Sequence, residues 1–140
     1  DGSKKMSKSE LSDLSRINLT DNKDQIINKI KKAKTDPLPM PKSLKEIDER
    51  VEAKNLIGIY ASLTNSTLEK SIENFAGKNF SEFKEKLSQI LIDKIEPISA
   101  EIKKLLADQK YLDQILLEGV EKANLIASKK IKRIKEIVGF

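Results

Sequence analysis

At 140 residues and 15.8 kDa the chain has the length of one domain or of two small ones, with 38% hydrophobic residues for a core and 35% charged. Lys plus Arg number 27 against 22 Asp plus Glu, a net +5 in which every cation except Arg16, Arg50 and Arg133 is lysine, so the charge draws polyanions only weakly. Cysteine and histidine are both absent, which excludes a disulfide scaffold, thiol or imidazole catalysis and Cys- or His-ligated metals, and no apolar run approaches the ~20 residues that cross a bilayer.

In chain order, residues 4–15 are polar and without a sustained period, which predicts a loop or short turn. Residues 16–19 alternate polar and apolar, as in a short strand or an extended link. Helix signals then begin. Thr20 or Asp21 is positioned to cap a helix over 21–34, with Ile26, Ile27, Ile30 and Ala33 on one face and Lys29, Lys31, Lys32 and Lys34 on the other. Pro37, Pro39 and Pro41 then impose an extended connector, because each removes a backbone donor and biases its predecessor away from helix.

Helical periodicity resumes near Leu44 and is strong through Leu56, Ile57, Tyr60 and Leu63. Asn65-Ser66-Thr67 is a stop-and-restart signal, with Glu69 three residues after Ser66 in a capping-box arrangement, and a short helix over 68–75 should end at Gly77. A long helix over 80–107 comes next, in which Pro97 is expected to cause a kink or break. Asp108 is placed to cap a last helix over 109–138, whose Leu112, Ile115, Leu116, Val120, Ala123, Ala127, Ile131 and Ile134 recur at three-four spacing. Packing between the last two helices accounts for that stripe most economically, and an inter-subunit face through Leu112, Ile115 and Leu116 is the alternative. Tyr60, Phe75, Phe80, Phe83 and Tyr111 sit at core spacing. The fold expected is all-α, a helical bundle over 21–140 preceded by a loop or extended segment over 1–20.

One motif carries chemistry: Lys5-Met6-Ser7-Lys8-Ser9, a string that this composition would produce by chance on the order of 5 times in 10,000. It resembles the second signature of class I aminoacyl-tRNA synthetases. The segments Ser15-Arg16-Ile17-Asn18-Leu19-Thr20-Asp21 and Lys29-Ile30-Lys31-Lys32-Ala33-Lys34-Thr35-Asp36 are similar to the stretch downstream of that signature in the bacterial tryptophanyl-tRNA synthetase family. Asn55-Leu56-Ile57-Gly58-Ile59-Tyr60, Gly77-Lys78, Phe83-Lys84, Glu96-Pro97-Ile98 and Gly139-Phe140 extend the likeness to the end of the chain. Residues 37–51 form a longer linker than the family leads one to expect.

The resemblance implies amino-acid activation by ATP with magnesium, tryptophan and its tRNA as substrates, a homodimer and a cytoplasmic location. It assigns ATP contacts to Lys5, Met6, Ser7, Lys8 and Ser9, with Lys8 the main pyrophosphate contact and Lys5 assisting. Ammonium groups that reach the leaving pyrophosphate as its charge builds lower the barrier selectively, and losing one such donor costs about 10²–10³ in rate. The helical remainder would be an anticodon-binding domain, for which Lys29, Lys32, Lys132 and Arg133 are the candidate tRNA contacts. The family's histidine-bearing phosphate motif, nucleotide-binding sheet and tryptophan pocket have no counterpart in the sequence, which leads one to expect the C-terminal part of a longer enzyme, following a Rossmann-like catalytic domain. Two other readings stand beside it: the equivalent region of a tyrosine–tRNA ligase, and a non-catalytic helical module that binds a protein partner.

Overall fold

The structure is a computed structural model that describes Ser7 and residues 9–140. Among the described residues only helices and their connections occur, as expected, and the chain divides into two compact units, Asp1–Ala100 and Glu101–Phe140. The first unit contains a 3₁₀ turn at Asp13–Ser15, then α1 (Lys23–Lys32), α2 (Leu44–Asp48), α3 (Val51–Thr64), α4 (Leu68–Phe75) and most of α5 (Phe80–Ala107). The second contains the last turns of α5 and α6 (Gln109–Val138).

The first helix is shorter than its periodicity suggests, for reasons at both ends. Asn22, not Thr20 or Asp21, is the N-cap: its Oδ1 accepts from Gln25 N at 2.9 Å while Gln25 Oε1 accepts from Asn22 N at 2.8 Å. Asp21 has another task, described below. At the far end Lys84 on α5 donates its Nζ to the carbonyls of Lys31 and Ala33, at 3.2 and 2.6 Å, and satisfies acceptors that a longer helix would have used internally. Residues 16–19 form no strand; Arg16 and Asn18 spend their side chains on local polar contacts.

The proline-rich connector is held from one residue. Arg50 grips the Asp36 carboxylate with two nitrogens, Nε at 2.9 Å and Nη2 at 2.6 Å, and gives Nη1 to the Pro39 carbonyl at 2.8 Å. Its guanidinium lies 5.6 Å from the Phe80 ring centroid. Met40, fully buried, exchanges backbone bonds with the α4–α5 turn: Met40 N donates to Lys78 O at 2.8 Å and Gly77 N to Met40 O at 3.0 Å. Gly77 adopts a φ of +72°, the left-handed terminator read from the sequence, and an added Cβ would lie 3.2 Å from Lys42 Cε.

The core gathers Ile26 and Ile30 of α1, Ile47 of α2, Leu56, Ile57 and Tyr60 of α3, Ile72 and Phe75 of α4, and Phe83, Leu87, Leu91, Ile92 and Ile95 of α5. Phe75 meets Tyr60 and Phe83 edge to face, each at 5.0 Å between centroids. Of the five aromatics expected to pack, Tyr111 does not; it is 48% exposed. Thr67 rather than Ser66 caps α4, through Lys70 N at 3.3 Å, because the Ser66 hydroxyl bonds those of Thr64 and Ser71. Pro97 does not end α5: both Pro97 and Asp93, whose carbonyl loses its usual donor, face solvent, where water can replace the missing N–H.

In the second unit Asp108 caps α6 as expected, its Oδ1 accepting from Tyr111 N at 3.1 Å. None of the residues of α6 is buried. Ile115, Leu116, Val120, Ile131 and Ile134 all keep about half or more of their surface exposed.

Candidate functional site

Lys5, Met6 and Lys8 lie outside the described residues, so the motif is seen through its serines. Ser7 and Ser9 are exposed, with their hydroxyls 3.0 Å apart, and Ser9 N donates to Ser7 Oγ at 3.3 Å. Small hydroxyl side chains make such local bonds at little steric cost.

Behind the motif stands a polar network that sequence reading missed. Arg16 donates Nη1 to the carbonyls of Ser7 and Glu10, at 3.4 and 3.1 Å, and its Nη2 lies 3.2 Å from Asp13 Oδ1. Asp13 also accepts from Asn18 Nδ2 at 2.9 Å. Its other oxygen meets Lys29 Nζ at 2.6 Å, and the same ammonium sits 2.6 Å from Asp21 Oδ2. Asp21 in turn accepts from Asn18 N at 2.8 Å.

Lys29 is therefore not on the solvent face assigned to it. Its side chain is 5% exposed and that of Asp21 4%, a buried cation between two carboxylates. Burial pushes the Lys29 ammonium down, but the hydrogen bonds to Asp13 and Asp21 outweigh it and hold the group above its ordinary value. The Lys29 hydrogen bond, seconded by that of Asn18, holds the Asp13 carboxyl below its ordinary range. With its side chain 5% exposed and its ammonium held between two carboxylates, Lys29 is not presented at the surface where a phosphate would meet it, so it leaves the set of candidate tRNA contacts. A signal for this was present: Lys29 falls three residues after Ile26 and one before Ile30, inside the apolar stripe.

Lys32 is exposed on α1, and Lys31 beside it also faces solvent. Lys34 is exposed and pairs with Glu52 at 3.1 Å. Lys132 and Arg133 are exposed on α6, in the second unit, with Lys129, Lys130 and Lys135 near them along the helix. Of these only Lys135 lies in the last turn of α6, where a cation offsets the helix dipole. Lys84, another cation that sequence reading passed over, is committed to the end of α1, and burial lowers its pKa. Among the described residues no three His, Cys, Asp or Glu side chains stand together to hold a metal, and no helix is long and apolar enough to cross a membrane.

The family model described as tRNA synthetases class I (W and Y) matches residues 1–96, and the chain belongs to that family. Among curated proteins it is similar to the tryptophan–tRNA ligases of Mesorhizobium japonicum and Caulobacter vibrioides, each 45% identical over all 140 residues. The tryptophan–tRNA ligase of Rickettsia felis is 49% identical over the same length. The chain covers 39%, 41% and 42% of these three proteins respectively, about two fifths of their length.

Proposed function

We propose that this chain is the phosphate-loop and helical region of a tryptophan–tRNA ligase, which joins tryptophan to AMP at the expense of ATP and then transfers it to tRNA. The observation that carries the reading is the 45% identity to tryptophan–tRNA ligases over all 140 residues, in a chain that contains Lys5-Met6-Ser7-Lys8-Ser9. Family membership alone leaves tryptophan and tyrosine open; the tryptophan relatives favour the former. Residues 1–20 act as phosphate loop and link, and residues 21–140 as the tRNA-binding helical region.

In activation the tryptophan carboxylate attacks the α-phosphate of ATP and pyrophosphate departs. Lys8, assisted by Lys5, neutralises charge on the departing oxygens, and Ser7 and Ser9 supply hydroxyl and backbone donors beside it. Magnesium would accompany the ATP phosphates and offset part of their charge. Lys32, Lys132 and Arg133 are the proposed tRNA-phosphate contacts. The reading also places the enzyme in the cytoplasm as a homodimer, and the exposed apolar stripe of α6 supports a face that becomes covered in the assembled protein.

The test is aminoacylation by the full-length enzyme that carries this chain. It should charge tRNA with tryptophan and leave tyrosine unused. Charging with tyrosine would move the assignment to the sister activity. No charging, together with salt-insensitive binding to a protein, would favour the helical interaction module instead.

A further inference from the structure

The motif lysines need a fixed platform, because a displacement of about 1 Å at a reacting centre costs on the order of 10² in rate. Ser7 and Glu10 bracket Lys8 and Ser9, and both of their carbonyls receive the Arg16 guanidinium, at 3.4 and 3.1 Å. The guanidinium serves both carbonyls through Nη1 while its Nη2 meets Asp13, a division of labour that the single nitrogen of a lysine lacks. Arg16 is itself held by Asp13 at 3.2 Å, and Asp13 by the buried Lys29 at 2.6 Å, on the helix whose Ile26 and Ile30 enter the core. The chain of contacts therefore runs from loop backbone to hydrophobic core through a pair of hydrogen bonds to carbonyls and then two ion pairs.

We propose that Arg16 is a positioning residue for amino-acid activation: with Asp13 and Lys29 it anchors the backbone around Lys8 and Ser9 to α1. Arg16 touches neither ATP nor amino acid in this role. It sets where the motif lysines begin their reach. The proposal rests on the ligase reading above, because the motif has no phosphate to meet without it.

The experiment uses the full-length enzyme and measures the single-turnover rate of tryptophanyl-adenylate formation per active site, with active sites counted by burst titration. Arg16→Ala should lower that rate by about 10- to 100-fold with the KM for tryptophan within about twofold of wild type. A loss of fold would lower the number of active sites, not the rate at each. Arg16→Lys, which has one nitrogen to share between Asp13 and the two carbonyls where Arg16 uses two, should fall between the two and remains informative if Arg16→Ala does not fold. Asp13→Asn should move the rate in the same direction. Lys8→Ala distinguishes the positioning role from the ligase reading beneath it. If Lys8→Ala is slow while Arg16→Ala and Arg16→Lys form adenylate at the wild-type rate, the positioning role is overturned and the ligase reading stands. If Lys8→Ala itself is unimpaired, both fail.

Discussion

Lys29 and Lys32 sit three residues apart on α1 and differ in what they do. Lys29 is buried against Asp13 and Asp21, whereas Lys32 faces solvent. Replacing Lys29 by Met leaves the buried Asp21 carboxylate without its cation, and breaking such a pair costs about 3–5 kcal/mol. Urea denaturation should show that loss, with the salt dependence of tRNA binding unchanged. Lys32→Ala should do the reverse: stability within about 0.5 kcal/mol of wild type, and a salt slope shallower by about one. Lys29 and Asp36 also give the stability a pH dependence. The raised Lys29 pKa means its contribution is complete below the ordinary lysine value, about 10.4, and is lost as pH rises through the higher folded value. Asp36 is depressed, chiefly by its hydrogen bond from Arg50, so its contribution is present above about pH 4 and is lost as pH falls through the depressed value. Asp36→Asn should therefore flatten the acid limb of the stability curve, measured by denaturant titration from neutral pH downward. A limb as steep as wild type would remove the Asp36–Arg50 pair as its source.

Among the elements, the helices most legible in the sequence are those with both a period and a terminator. Apolar spacing together with Gly77 and Asp108 sets the spans 68–75, 80–107 and 109–138, and α4, α5 and α6 occupy them. Asp108→Ala should cost about 1 kcal/mol, because Tyr111 N loses its acceptor, and circular dichroism during melting would register the fraying. Periodicity does not say what covers an apolar stripe, which is why α6 reads as core yet buries nothing. Nor does it foresee a cap supplied from another element, as Lys84 caps α1 from far along the chain, at Lys31 and Ala33. The connector over 37–42 is legible as extended from its prolines, while its anchoring by Arg50 depends on a fold that brings residue 50 back to Asp36.

At the scale of the whole molecule, the proposed chemistry rests on a motif of five letters, whereas the network beside Ser7 is not readable in the sequence. Arg16, Asp13 and Lys29 lie at irregular spacing and share no motif; only the folded chain brings them together. The central claim is that Lys8 acts on a leaving pyrophosphate in a ligase whose relatives extend well beyond this chain. Rapid-quench measurement of adenylate formation by full-length Lys8→Ala, over a range of ATP concentrations, tests it most directly. The expected result is a fall of about 10²–10³ in the maximal single-turnover rate, with the ATP concentration at half-saturation changed far less. An unchanged maximal rate, or a loss confined to ATP affinity, would contradict it.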